Sequence, residues 1–137
     1  MSMKVNKNGK EYPIGVIPQS LYDDVEDLKE ASKYSTTEHK VGKWIDGSDL
    51  YEKTVSCGAL PNATSKDISH GIANISKIVE IKGYATNGTL YLPLPFAGAS
   101  ATSGISVYAN TSNITFETGM NRSNFTASYV TLRYTKA

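Results

Sequence analysis

From residue 38 onward, turn-forming residues cut the chain into short runs, and that punctuation limits it to a mainly β fold. Asp46-Gly47-Ser48-Asp49, Asn87-Gly88, Asn110–Asn113 and residues 119–124 are turn signals. With the loops between them they divide roughly 100 residues into about seven short runs, the pattern of an antiparallel sandwich. The intervening runs predict strands over 38–45, 50–57, 75–85, 89–94, 104–109, 114–118 and 127–135. In the last of these, Tyr129, Thr131 and Arg133 alternate with Val130, Leu132 and Tyr134, one set for each face of a strand. The reading is a jelly-roll-like antiparallel β-sandwich over residues 35–137. Its predicted core holds Val79, Ile81, Val107, Ile114, Phe116, Val130 and Leu132. Residues 58–74 carry Gly58, Pro61, Asn62, Gly71 and Asn74 and predict a long loop with one turn of helix in it. Residues 97–104 contain Ala, Gly, Ser and Thr alone and predict another loop.

The N-terminal part obeys different rules. Pro13, Gly15 and Pro18 forbid a helix over residues 1–19, and Asn8-Gly9 is a turn dipeptide, so this stretch reads as an extended arm with one tight turn. Residues 20–34 read as a short helix. Ser20 is an N-cap, and Asp23, Asp24, Glu26 and Asp27 complement the positive helix end. Leu21, Val25 and Leu28 form one apolar stripe at four-three spacing, the d, a, d positions of a heptad. A helix this short is marginal alone in water, so it must dock. It packs either on its own head domain or, as a stalk, on other copies of the chain. With Ile14 and Ile17 of the arm, the stripe is the expected oligomerisation surface.

Charge is unevenly spread along the chain as well. Residues 1–53 hold 8 Lys/Arg and 10 Asp/Glu, and residues 54–137 hold 6 and 3. Formal net charge is +1, so no global field points to nucleic acid or a membrane surface. No apolar run reaches transmembrane length, and the polar start at Met1 is unlike a signal peptide. Synthesis in a cytoplasm is the expectation. All seven Asn residues after position 54 lie in Asn-x-Ser/Thr contexts, which here read as Asn turns leading into Thr-rich strands. Cys57 is alone, which excludes an intrachain disulfide and suits a small buried residue.

Catalytic signatures are missing from the sequence. There is no nucleophile elbow, no His-Glu-x-x-His and no phosphate-binding glycine loop. Glu80 and Glu117 lie on predicted strands and could supply a facing carboxylate pair, but solvated strand positions explain them as well. Asp67, Ser69 and His70 do not make a metal-ligand spacing, and His70 reads as a cap on loop backbone. No cofactor or metal is expected, and the chain reads as non-enzymatic.

Several segments together resemble a module of phages and prophages of Gram-positive bacteria. They are Gly42-Lys43-Trp44-Ile45-Asp46-Gly47, Leu50-Tyr51-Glu52-Lys53-Thr54, His70-Gly71-Ile72, Asn121-Arg122-Ser123 and Tyr129 to Lys136. The opening from Asn6 to Gln19 resembles the arm that precedes a short helix in such proteins. The resemblance implies a tail-fibre, baseplate or tail-tip protein of the virion. It implies a homotrimer, with a receptor-binding head and an arm that contacts other virion tail proteins. The residues themselves leave dimer and trimer open.

Aromatic and polar side chains of the head are the candidates for recognition. Trp44, the single Trp, precedes a turn and suits glycan stacking, although packing where stalk meets head suits it too. Tyr84, Tyr91 and Tyr108 lie on strands, and tyrosine serves recognition surfaces at low entropic cost. Asn121, Arg122 and Asn124 share a turn that suits a sugar hydroxyl or a wall phosphate, or is simply solvated. The leading expectation is a trimeric head that binds a host cell-wall saccharide. Its rivals are a purely structural baseplate or fibre subunit and a small wall-degrading hydrolase.

Overall fold

The computed structural model describes residues 4–7, 10–13 and 33–137 of the chain. Strands β1 (Lys4–Lys7) and β2 (Lys10–Pro13) pair antiparallel, from Lys4 opposite Pro13 to Lys7 opposite Lys10. The Asn8-Gly9 dipeptide lies between them in sequence. Ile14, Ile17, Leu21, Val25 and Leu28, and almost all of the helix predicted over 20–34, lie outside the described residues. Lys33 and Tyr34, the last residues of that predicted helix, are in irregular backbone.

The rest of the described chain is mainly β. Eight strands form two antiparallel sheets: β3 (His39–Lys43), β4 (Asp49–Ser56), β5 (Ser65–Ser69), β6 (Ile75–Thr86), β7 (Tyr91–Leu94), β8 (Ile105–Ala109), β9 (Asn113–Thr118) and β10 (Ala127–Lys136). One sheet has the order β3-β4-β10-β6-β7, and the other β5-β9-β8.

Strand β10 is the middle strand of the larger sheet, flanked by β4 and β6, and its inward face is mostly apolar. Val130, Leu132 and Tyr134 are fully buried, opposite Val55, Lys53 and Tyr51 of β4. On the other flank, Val130 and Leu132 face Gly83 and Ile81 of β6. The second sheet contributes Ile105, Ile114 and Phe116 to the same cluster, and Leu60, Ile72, Leu94 and Phe125 complete it from loops and β7. Removing apolar area of this kind from water is the dominant stabilising term. Tight turns close the hairpins. In the β3–β4 turn the Trp44 N–H donates to the Ser48 carbonyl, the Gly47 N–H to the Trp44 carbonyl, and the Ser48 N–H to Asp46 Oδ1. Gly47 has φ +86°, a conformation that favours glycine.

Two expectations require correction. The loop predicted over 58–74 contains a strand, β5, where a helical turn was expected. Its run Ser65-Lys66-Asp67-Ile68-Ser69 lacks an apolar alternation because Lys66 takes an inward position. The Lys66 ammonium donates to the carbonyls of Cys57 at 2.9 Å and Ala59 at 2.7 Å, which satisfies it without an apolar side chain. The core is also smaller than predicted at one strand. Ile114, Phe116, Val130 and Leu132 are buried, Ile81 and Val107 are half-buried against the core, and Val79 is half-buried outside it. The register slips between Arg133 opposite Glu80 and Tyr134 opposite Ile78, which makes Val79 the extra residue of a bulge. Ile78 then takes the inward place that strict alternation assigns to Val79.

Candidate functional site

The outward face of the five-stranded sheet collects like side chains into rows. Side chains two apart on a strand share a face, and the register sets which of them become neighbours. On β10 the outward residues are Tyr129, Thr131 and Arg133. They lie opposite Ser56, Thr54 and Glu52 of β4 and Tyr84, Lys82 and Glu80 of β6. The result is an aromatic row, a hydroxyl row and a charged row, each perpendicular to the strands.

The aromatic row continues across three strands. The Tyr84 ring centroid is 5.5 Å from that of Tyr129 and 5.9 Å from that of Tyr91 on β7. Tyr91 is 67% and Tyr84 40% exposed. In the hydroxyl row, Thr54 Oγ1 and Thr131 Oγ1 are 2.8 Å apart. Tyr34 comes over this face beside β4, where the Thr54 N–H donates to the Ser35 carbonyl, and Lys82 Nζ lies 5.5 Å from the Tyr34 ring centre. Tyr34, Thr54, Lys82, Gly83, Tyr84, Tyr129 and Thr131 thus line an open groove of about 500 Å³.

The charged row braces one side of the groove. Arg133 Nε donates to Glu52 Oε2 at 2.7 Å, and Glu80 Oε2 is 3.9 Å from the same nitrogen. The Glu52 side chain is only 3% exposed, and His39 Nε2 stands 3.8 Å from its other oxygen. Lys82 Nζ contacts Glu80 Oε1 at 3.0 Å. The hydrogen bond to Glu52 holds the Arg133 guanidinium above its ordinary range, and that to Glu80 does the same for the Lys82 ammonium.

The structure scatters the other predicted site residues. Tyr108 is on β8, in the other sheet, and its hydroxyl donates to Glu117 Oε1 at 2.8 Å, which raises its own pKa. Trp44 follows β3 at the opposite end of the five-stranded sheet from Tyr84 and Tyr129, and is half-buried. Asn121 and Asn124 are exposed in the turn before β10. Asn121 Oδ1 accepts from the N–H and hydroxyl of Ser123. Arg122 is half-buried in that turn and already engaged. Its guanidinium donates to the Ser103 carbonyl and its Cζ lies 5.5 Å from the Phe96 ring centre, so it ties the turn to the loop before β8. Of the candidate ligand-binding residues, Tyr84 alone lines the groove, and Tyr91 extends its aromatic row beyond the groove lining. Tyr129 and Tyr34 were missed. Alternation placed Tyr129 on the outward face of β10, but nothing in the sequence paired it with Tyr84.

The residues weighed for catalysis are each engaged with partners of their own. Glu80 and Glu117 lie on different sheets, each engaged with its own partners. His70 is 2% exposed and both ring nitrogens are occupied. Its Nδ1 accepts from the Ile72 N–H at 3.1 Å, which leaves Nε2 to donate to the Asn110 carbonyl at 2.9 Å. Asp67 Oδ1 accepts from the Thr115 hydroxyl at 2.7 Å. Among the described residues no group of three or more His, Cys, Asp or Glu side chains is placed to hold a metal ion. Cys57 is buried, and that burial pushes its thiol up to about 11, far from a reactive thiolate. Comparison with known proteins adds no relative: no protein-family model, no curated protein and no solved structure matches this chain.

Proposed function

We propose that this chain is a non-enzymatic phage tail protein whose head binds a host cell-wall saccharide in the tyrosine groove. The observation that carries the saccharide reading is the row Tyr91, Tyr84 and Tyr129, partly exposed and flanked by the Thr54 and Thr131 hydroxyls. Aromatic faces cover the C–H surface of a sugar, and hydroxyls and an ammonium satisfy its rim. The tail assignment rests on the sequence resemblance to modules of Gram-positive phages. In this reading the two sheets, which share one core, are a jelly-roll-like sandwich. The N-terminal arm docks on other virion proteins, and the stripe Leu21, Val25 and Leu28 joins three copies. Three weak sites then give tight adsorption by avidity.

Pull-down on purified Gram-positive walls tests the site. The wild type is retained, Tyr84→Ala loses about tenfold in retention, and Tyr108→Ala does not. Equal loss in both variants, or no retention of the wild type, overturns it. Light scattering tests the assembly. The expected mass is about 44 kDa, three times the 14.8 kDa chain, and a monomer mass rejects the trimer.

A further inference from the structure

The electrostatics of the groove go further than the saccharide reading, on which the following rests. Lys82 is the one charged side chain among the described groove-lining residues. It already has a carboxylate, Glu80, at 3.0 Å. The next cation along the face, Arg133, is held by Glu52 at 2.7 Å and has Glu80 at 3.9 Å. Two cations thus meet two carboxylates, and these four described side chains balance one another. An anionic ligand would have to displace Glu80 from Lys82, and would meet the repulsion of that carboxylate in place of a free cation. The aromatic row extends past the groove lining to Tyr91. Its tyrosine rings step from β7 to β6 to β10 at 5.9 and 5.5 Å, so their stacking surface runs across the strands.

We infer that the groove selects an uncharged, linear oligosaccharide, laid across the strands from Tyr91 over Tyr84 to Tyr129, in preference to a phosphate- or carboxylate-bearing wall polymer. Each ring covers about one sugar, and the parallel row of Thr54, Thr131 and Lys82 receives the hydroxyls along one side of the chain. The paired charges set orientation through hydrogen bonds to sugar hydroxyls and contribute no net Coulombic attraction.

The test is a glycan array of neutral hexose, deoxyhexose and N-acetylhexosamine ladders, from monosaccharide to hexasaccharide, beside uronate- and phosphate-bearing ladders. Expected binding is to a neutral ladder, with apparent affinity rising about tenfold from monosaccharide to trisaccharide. It changes less than about twofold when salt is raised to ~1 M, where charge attraction is screened within a few ångströms. Tyr84→Ala abolishes it and Tyr84→Phe retains it, both with the wild-type melting profile. Preference for the anionic ladders, or loss of binding in salt, overturns the uncharged ligand. A monosaccharide bound as tightly as the trisaccharide overturns the extended site. A silent array beside Tyr84-dependent retention on whole walls rejects this inference and leaves the wider saccharide reading standing, whereas failure on both rejects the two together. A drop in light-scattering mass in Tyr84→Ala would make this face an interface between copies and also overturn the inference.

Discussion

The Glu52–Arg133 pair behind the groove makes a sharp prediction because its two members are unequally buried. The Glu52 side chain is 3% exposed and the Arg133 side chain 33%. Arg133→Met keeps the stem and removes the cation, leaving a buried carboxylate with only His39 at 3.8 Å to offset it. Breaking a buried pair from one side costs ~3–5 kcal/mol, and the lower figure applies here because Arg133 retains solvent. Glu52→Gln is milder. The amide oxygen still accepts from Arg133, which keeps Glu80 and water, so the loss is the charge-assisted part of one hydrogen bond, about 1 kcal/mol. With a urea slope of about 1.5 kcal/mol per M, the unfolding midpoint falls by about 2 M in Arg133→Met and about 0.7 M in Glu52→Gln. The double variant leaves no buried charge and is more stable than Arg133→Met alone. Urea titration followed by circular dichroism measures all three. A reversed order of the single variants, or strictly additive losses, would refute the reasoning.

Three further outcomes follow from the same contacts. Arg122→Ala costs about 1–2 kcal/mol in urea unfolding, because it removes the bond to Ser103 and the stack on Phe96, while wall binding stays as in the wild type. Gly83→Ala places a Cβ 2.2 Å from the Tyr129 carbonyl oxygen, so β6 and β10 must part; it lowers the urea midpoint by an overpacking penalty of about 1–3 kcal/mol and weakens wall binding with it. Stability should fall in acid. Hydrogen bonds from the Ser48 N–H and hydroxyl and from Lys77 hold Asp46 at about 2. Asp49 is also held low, by Lys43 and Lys40. At Glu38 burial pushes upward but is outweighed by Lys136 and Tyr134. These folded-state values lie below the unfolded ones, so their contribution is complete above about pH 5 and is lost as pH falls through ~4 toward ~2. The melting temperature should be flat from neutrality to about pH 5 and decline below it, and a rise in acid would contradict the assignment.

The sequence carried the fold where one strand face is apolar and failed where tertiary contacts stood in for apolarity. Strand β10 was legible because Val130, Leu132 and Tyr134 alternate with Tyr129, Thr131 and Arg133 through its middle. Strand β5 was not, because the two carbonyls that receive Lys66 lie in the preceding loop and no local pattern marks them. The Val79 error came from a bulge, which a period of two cannot express. At the candidate site, the sequence singles out tyrosines as a class, and the structure groups three of them. Their grouping was hidden, since it needs the register that sets Tyr129 opposite Tyr84. Arg122 misled because a turn arginine reads as free in sequence, whereas Ser103 and Phe96 reach it only through the fold.

The central claim is that sugar lies on the outward face of the five-stranded sheet. Nuclear magnetic resonance addresses it directly, with the aromatic side chains labelled and neutral wall-derived oligosaccharide added stepwise. The account predicts saturable shifts in Tyr84, Tyr91 and Tyr129, with Tyr108 and Phe116 unmoved. Shifts centred on Tyr108, or saturable binding that leaves Tyr84 and Tyr129 unchanged, would contradict it.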